Sequence, residues 1–229
     1  MKPLSLLITS LFIAAPGLAQ APEKTKSAGP AGTYPPIGDI HAHVCGIHFY
    51  NGDMSRQIIA EHYCSHLSDE VLQCVIYDSN KPGARLIGVE YIVSAKIFAS
   101  LPAEEKKLWH SHNYEVKSGV LTAPGMADAA EKDLMKVLIG TYGKTWHTWQ
   151  VDRDAKLPIG IPQLMMGFTA DGQAQAKIVS ERDTLYGSSA AKKTARTDIA
   201  DVKLDPGADA WEKGSAVQLD LKTVQATAK

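Results

Sequence analysis

Residues 56–78 read RQIIAEHYCSHLSDEVLQCVIYD, and this stretch decides the fold class. Apolar, aromatic and β-branched residues recur in its two halves, 56–67 and 72–78, and the polar residues 68–70 separate the halves. Two runs of this composition on either side of a short polar loop predict a β-hairpin.

The segments around the hairpin extend it into an antiparallel sheet. Residues 40–50 and 85–93 share its β-rich composition, and residues 147–151 and 161–168 predict two late strands. Residues 114–121 form a short segment that is also expected to be extended.

Two other segments predict helices. Residues 126–142 carry an apolar stripe at helical spacing, with acidic and basic residues on the other faces. Ser100 as a cap, followed by Pro102 and two glutamates, predicts a second helix that ends near Trp109. The predicted fold class is therefore α+β: an antiparallel sheet with about two packed helices and a C-terminal arm.

The hairpin also predicts that two of the three cysteines meet. If residues 68–70 form a three-residue loop, Leu67 pairs with Val71, and Cys64 then lies opposite Cys74. Opposed residues approach closely only at a non-hydrogen-bonded pair, where a disulfide bond is a tight fit. The pair is therefore predicted to make either a contact or a bridge, and a bridge would leave one thiol over.

The N-terminal residues have the composition of an export signal. Lys2, the apolar run at residues 4–16 and the small residues that follow predict cleavage after Ala19, and the run is too short to span a bilayer. Residues 1–19 are therefore expected to be a signal peptide and residues 20–36 a flexible linker. The mature protein is expected to be periplasmic or secreted, where disulfide bonds are allowed.

The remaining composition defines the domains and excludes some partners. Residues 37–172 hold all eight histidines and all three cysteines and are predicted to form the main domain, whereas residues 173–229 predict a C-terminal arm or tail. A formal net charge of −1 argues against the concentrated basic face that a nucleic-acid partner requires. Beyond the signal, the chain has no run of about eighteen apolar residues, so no transmembrane segment is predicted.

Long segments of the chain resemble the oil body-associated protein family. These segments are HVCGIHFYNGDMSRQ (43–57), EHYCSHLSDEVLQCVIYDS (61–79), ARLIGVEYIVS (84–94), LPAEEKKLWHSHNYEVKSG (101–119), YGKTWHTWQVDR (142–153) and LPIGIPQLMMGFT (157–169). A weaker similarity continues from residue 181 to residue 214. The resemblance implies a family of largely unknown function whose plant members are associated with seed oil bodies.

Two classes of function follow from these observations. The favoured class is an exported, non-enzymatic protein that binds a small apolar ligand or a lipid surface; the N-terminal signal predicts the export, and the resemblance implies the lipid role. The alternative is a metal-dependent or thiol-dependent enzyme that uses the histidines and cysteines of the main domain.

Histidines spaced by two residues support the metal-dependent alternative. His62 and His66 lie on either side of Cys64, and His110 and His112 form a second pair. Because alternate side chains of a strand share a face, each pair would present two imidazoles to one side. The two pairs are predicted to meet and bind a divalent metal such as Zn²⁺. Packing in a half-buried sheet is the competing interpretation.

Two further patterns are candidate sites that ordinary packing could also explain. Cys64 between two histidines is a candidate nucleophile, although a buried structural cysteine is the commoner arrangement. His110, His112 and Glu115 invite comparison with the metal motif of cupins, but the spacing to the glutamate is shorter than that motif allows, and on a strand Glu115 would face away from both histidines. No phosphate-binding or dinucleotide-binding motif occurs.

Overall fold

The structure is a computed structural model that describes residues 34–226. The predicted signal peptide, residues 1–19, and most of the predicted linker, residues 20–36, lie outside the described residues. Within the described range, each helix is too short or too polar to cross a bilayer.

The β-rich segments form seven strands among the described residues. They are β1 (Ala42–Tyr50), β2 (Asp53–Ser68), β3 (Val71–Tyr77), β4 (Leu86–Val93), β5 (His110–Ser111), β6 (Tyr142–His147) and β7 (Gln163–Met166). The predicted hairpin is β2–β3, and Cys64 lies opposite Cys74 in its register. Val71 pairs with Ser68 instead of the predicted Leu67, because the register shifts between His66 and Ser68.

The sheet closes on itself into a six-stranded antiparallel barrel. Its strand order is β4-β3-β2-β1-β7-β6, and an additional pairing of β4 with β6 completes the ring. The predicted α+β class and the antiparallel sheet are confirmed. The closure was not anticipated, because β4 and β6 pair across about fifty residues of intervening helices and loops that give no local sign of it.

Helices are more numerous than the two that the sequence predicts. Between residues 34 and 226 they are α1 (Ala95–Ser100), α2 (Ala103–Lys106), α3 (Asn113–Lys117), α4 (Asp128–Leu138), α5 (Ala176–Tyr186) and α6 (Ser189–Ala195), with a 3₁₀ turn at Ala210–Lys213. The predicted helix after Ser100 is α2, but its N-cap is Pro102 instead of Ser100 and it ends at Lys106, before Trp109. Helix α1, which ends at Ser100, was not predicted. The predicted helix over 126–142 ends earlier, and its last residues enter β6.

The expectation of an extended segment at residues 114–121 is wrong, since α3 occupies its first part. The helix turns Glu115 and Val116 inward, where both are buried. Burial of these two side chains against the barrel explains a helix that residue preferences alone did not predict.

The predicted C-terminal arm runs over the barrel. Residues 173–226 contribute α5, α6 and several buried side chains, among them Arg182, Ile199 and Ala210. Arg182 Nη2 donates to the carbonyl of Gly119 at 2.6 Å, so a guanidinium on α5 binds a loop of the barrel domain. The arm therefore packs on the same body as residues 37–172.

Two apolar clusters fill the ends of the barrel and leave a polar layer between them. The first cluster includes Ala60, Ile76 and Ile87, and the second includes Cys64, Cys74 and Ile92 together with side chains from α3 and α4. On β2, His62 lies between Ala60 of the first cluster and Cys64 of the second. Because alternate residues of a strand face the same side, His62 shares the inward face with both of them.

Candidate metal centre

A carboxylate lies at the middle of the polar layer. Glu90 is on β4 and is almost completely buried, with 2% of its surface exposed. A buried carboxylate is costly unless charged or hydrogen-bonding groups surround it. The Nε2 atoms of four histidines lie near its oxygens: His62 at 2.8 Å, His112 at 3.1 Å, His110 at 3.6 Å and His48 at 3.7 Å.

Different elements bring these histidines to one place. His48 and His62 come from β1 and β2, which pair in the barrel, while His110 forms part of β5 and His112 directly precedes α3. His147 on β6 extends the group, with its Nε2 3.4 Å from Nδ1 of His48. All five imidazoles are buried.

Glu115 is a second carboxylate of the cluster. Its Oε2 atom lies 3.9 Å from Nε2 of His110. The expectation that Glu115 faces away from His110 and His112 is wrong, because the segment is a helix and not a strand. Residues three apart on a helix share a face, so Glu115 lies on the same side as His112.

Three glycines provide the space for these side chains. A Cβ atom on Gly143 would overlap Oε1 of Glu90 and lie 2.9 Å from Nε2 of His110. A Cβ atom on Gly167 would lie 2.9 Å from Oε2 of Glu115, and one on Gly46 would lie 3.5 Å from its Oε1. Larger residues at positions 143 and 167 would displace the cluster, whereas a Cβ atom at Gly46 would make ordinary contact with Glu115, so the backbone at the first two positions is fitted to the ionisable groups.

Five of the ten ring nitrogens of the cluster lack hydrogen-bond partners within residues 34–226. This holds for both nitrogens of His62, both of His110 and Nδ1 of His147. His62 Nε2 is close to Glu90, but the carboxylate oxygen is not aligned with an N–H on the ring. A buried polar atom without a partner costs about 1–3 kcal/mol, so the arrangement is unfavourable as a purely structural network.

His112 has a defined tautomer. The Thr141 hydroxyl donates to the carbonyl of Leu138 at 2.7 Å, so Oγ1 of Thr141 accepts from the Nδ1–H of His112 at 2.8 Å. The other ring nitrogen, Nε2, lies 3.1 Å from Oε1 of Glu90 and faces the centre of the cluster. A histidine that donates one N–H to a protein oxygen and presents the other nitrogen is the arrangement typical of metal ligands.

Burial and mutual charge set the protonation states. Burial alone would raise the pKa of Glu90, but the imidazoles of His62 and His112 hold that pKa well below its ordinary value. Burial lowers the pKa of His48 well below its usual value and lowers those of His110 and His147 to about 3. Near neutral pH, Glu90 is therefore ionised while these three imidazoles are neutral, as metal ligands must be.

The pKa of Glu115 shifts in the opposite direction to that of Glu90. Burial, and next the negative charge of Glu90, raise the pKa of Glu115 well above its ordinary value. Burial and the neighbouring charge of Glu90 therefore both favour the protonated form of Glu115, as expected for like charges in a buried site.

The cluster surrounds a small cavity. Its volume is about 10 Å³, and His48, His62, Glu90, His112 and Glu115 are among its lining residues. A space of this size holds about one water-sized occupant. Two ligand sets have atoms within 4.8 Å of one another, namely His48, Glu90 and His110, and His110, His112 and Glu115.

The four histidines predicted from the sequence separate into two places. His62, His110 and His112 meet around Glu90, but His66 does not join them, because it lies at the exposed end of β2 with its Nδ1 2.8 Å from Nε2 of His41. The sequence interpretation missed His48, Glu90 and His147, and it considered Glu115 but expected it to face away. A single carboxylate within the apolar run of β4 was the one signal that pointed to Glu90.

The cysteines have different environments. Cys64 and Cys74 are joined by a disulfide bond, with their Cα atoms 4.0 Å apart, so Cys64 carries no free thiol in this form. Cys45 is free and buried, and burial raises the pKa of its thiol well above the ordinary value. A raised pKa disfavours the thiolate, so Cys45 does not have the environment of a nucleophile.

The fold and the cluster define an α+β barrel protein with a buried histidine–carboxylate centre, and comparison with known proteins adds its family. Residues 34–200 match the family model described as "Protein of unknown function (DUF1264)", and the chain belongs to this family. It is similar to oil body-associated protein 1B of Arabidopsis thaliana, with 46% identity over 84% of this chain and 83% of the relative. Oil body-associated protein 2A of Zea mays is 47% identical over 80% of this chain and 76% of the relative. No solved structure matches the chain.

Proposed function

We propose that this protein binds one divalent metal ion inside the barrel, with Glu90 as one ligand and the remaining ligands drawn from the imidazoles of His48, His62, His110 and His112. The observation that carries the proposal is the convergence of unpartnered, buried ring nitrogens on an ionised, buried carboxylate. A metal ion would satisfy these atoms together.

The spacing of the ligand atoms supports this proposal. The four Nε2 atoms lie 2.8–3.7 Å from the oxygens of Glu90. Ligand atoms about 2.1 Å from a zinc ion in a tetrahedral site are about 3.4 Å apart, which falls within that range. Imidazole and carboxylate together suit Zn²⁺, Fe²⁺ or Mn²⁺ better than the all-oxygen preference of Mg²⁺ or Ca²⁺.

The size of the cavity supports binding of an ion and not catalysis on an organic molecule. A space of about 10 Å³ between two apolar clusters has no room for a substrate larger than water. We therefore place this protein with metal-binding proteins, in preference to hydrolases with an open metal position.

Metal content separates this proposal from ordinary packing. Protein prepared without a histidine tag, and dialysed against Zn²⁺ or Mn²⁺, is expected to retain an equimolar amount of metal by mass spectrometry. The His110→Ala variant is expected to retain none. His66→Ala is the matched control, because His66 is an imidazole of the same β-rich region that lies outside the cluster, and it is expected to bind like the unmodified protein.

Equal metal content in the unmodified protein and the two variants would contradict the proposed centre. So would the absence of metal from all three proteins. Stability gives an independent measurement. Metal at a hundred times its dissociation constant is expected to raise the free energy of unfolding by about 2.7 kcal/mol in the unmodified protein and not in His110→Ala.

A lipid surface is the second candidate, and it is supported by the names of the relatives and by one exposed loop. Leu157 and Ile159 are 59% and 53% exposed, and Leu86 at the start of β4 is also exposed. The apolar segment 164–168 is buried inside the core and therefore cannot supply a contact surface for lipid. Exposed apolar loop residues are typical of shallow insertion at a membrane interface.

Flotation with neutral liposomes tests the lipid proposal. The unmodified protein is expected to float, and the double variant Leu157→Ser/Ile159→Ser is expected to remain at the bottom of the gradient. Val137→Ser is a suitable control, because Val137 is an exposed apolar residue on α4 away from the loop. Absence of flotation by the unmodified protein would remove this candidate.

Export remains a further proposal. Lys2, the apolar run and Ala19 support cleavage after Ala19, and a disulfide between Cys64 and Cys74 suits an oxidising compartment. N-terminal sequencing of the protein recovered from the periplasm or the medium is expected to begin at Gln20. Recovery of the full-length chain in the cytosol would contradict it.

A further inference from the structure

We propose that Cys64 and Cys74 are redox-dependent ligands of the same buried centre, which binds soft metal ions more tightly when their disulfide bond is reduced. This inference rests on the proposed metal site and adds its regulation. It concerns the pair of sulfur atoms and not the free thiol of Cys45.

The register of the barrel places the sulfur atoms beside the central carboxylate. Cys64 lies opposite Cys74 across β2 and β3, and Cys74 lies opposite Glu90 across β3 and β4. Directly opposed residues on one face have Cβ atoms about 4.5–5.5 Å apart. Cys64 is also two residues from His62 on the same face of β2.

The disulfide packs against side chains that line the cavity. Cys64 and Cys74 belong to the apolar cluster that includes Val44, Ile92 and Leu121, and those three residues also line the cavity beside Glu90. Both cysteines are buried, and their register places them on the same face of the sheet as His62 and Glu90.

Reduction changes the ligands that the centre offers. A dithiol reductant gives two electrons and two protons to the Cys64–Cys74 bond, the bond breaks into two thiols, and the reductant becomes a disulfide. A metal ion then displaces the proton of a thiol and binds the thiolate, and the proton leaves to solvent. Disulfide sulfur is a poor ligand, whereas thiolate is soft and selects Cd²⁺, Zn²⁺ or Cu⁺ over Mn²⁺.

A purely structural disulfide makes a different prediction. If the bond only holds β2 to β3, its reduction loosens the barrel and weakens the binding of every metal ion in the same direction. If the sulfur atoms become ligands, reduction strengthens the binding of soft ions and leaves hard ions nearly unchanged. The ratio of Cd²⁺ to Mn²⁺ affinity therefore separates the two roles.

Calorimetric titration of metal-free protein with Cd²⁺ and with Mn²⁺ measures this ratio before and after reduction. A phosphine is a suitable reductant, because it takes up the oxygen of water, gives two electrons to the disulfide and leaves no competing thiol. Thiol titration confirms the two forms, with Cys45 alone reactive after unfolding of the oxidised protein. We expect the affinity for Cd²⁺ to rise at least about tenfold on reduction, with little change for Mn²⁺.

Two further measurements make the test specific. The reduced protein loaded with Co²⁺ is expected to show a sulfur-to-cobalt charge-transfer band in the near ultraviolet that the oxidised protein lacks. The double variant Cys64→Ala/Cys74→Ala is expected to bind both ions and to show no response to the phosphine. Because it lacks the disulfide in either condition, it also controls for loosening of the barrel.

The outcomes distinguish this inference from the proposed function. Metal binding with an unchanged Cd²⁺ to Mn²⁺ ratio and no charge-transfer band would overturn the redox role and leave the metal centre intact. Failure of both redox forms to bind any of the ions would overturn the metal centre, and the inference with it.

Discussion

Substitution of Gly143 by alanine is the perturbation whose effect follows most directly from the shape of the centre. A methyl group at this position overlaps Oε1 of Glu90 and lies 2.9 Å from Nε2 of His110. Both neighbours are buried, so neither can move aside into solvent. Overpacking of a buried site costs about 1–3 kcal/mol, and we expect Gly143→Ala to lower the free energy of unfolding by that amount.

Gly140 provides a matched control three residues earlier in the chain. A Cβ atom there meets only Val202 at 3.9 Å, which is ordinary van der Waals contact. Because alanine restricts the unfolded chain more than glycine does, Gly140→Ala is expected to be neutral or to stabilise the protein by about 0.4–1 kcal/mol. Urea denaturation of both variants, analysed at constant m-value, measures the difference between their free energies of unfolding.

The cause of the Gly143 effect can be separated from a general defect. If the methyl group acts through Glu90, its cost is expected to shrink in a Glu90→Ala background, where the carboxylate is gone, and a double-mutant cycle measures this coupling. Gly143→Ala is also expected to lose metal binding, while Gly140→Ala retains it. Equal stability and equal metal content in the two glycine variants would refute the packing of the centre described above.

Three further predictions follow from individual contacts. Thr141→Val removes the oxygen that fixes the tautomer of His112, so the affinity for metal is expected to fall about 10–100-fold in calorimetric titration, whereas an unchanged affinity would exclude this role for Thr141. Cys64→Ala/Cys74→Ala is expected to lower the free energy of unfolding of the oxidised protein by about 2–3 kcal/mol in urea, because the bond closes a loop of sequence separation 10; no difference would show that the bond does not form in solution. Since the pKa of Glu115 is raised in the folded state, its contribution to the stability of the metal-free protein is complete below its unfolded pKa and is lost as the pH rises through the folded pKa. Glu115→Gln is therefore expected to reduce the loss of stability between acidic and neutral pH, and identical pH profiles of the two metal-free proteins would contradict the shift.

The parts of the fold that are local in sequence could be predicted from it. The hairpin of β2 and β3 was visible because two β-rich runs border a short polar loop, and the opposition of Cys64 and Cys74 followed from that loop. Closure of the barrel could not be predicted, because it depends on pairing between β4 and β6 across several helices. The helical turn at Glu115 was missed because burial against the barrel, and not residue preference, stabilises it.

Only part of the candidate site could be predicted, because some of its residues form local patterns and others meet only through the fold. His62, His110 and His112 occur in spaced pairs that attract notice, whereas His48 and Glu90 are single residues within apolar strands. Only the closed barrel brings those strands around one point. His62 and His66 each lie two residues from Cys64 on β2. His66 is on the side of the exposed end of the strand and therefore lies outside the centre.

The most direct test of the metal centre is a crystal structure of the protein grown with Zn²⁺, with anomalous differences recorded above the zinc absorption edge. A peak is expected inside the barrel, about 2.0–2.2 Å from an oxygen of Glu90 and from the Nε2 atoms of at least two of the four surrounding histidines. Crystals that contain zinc on their surface but show no anomalous peak among these side chains would contradict the account.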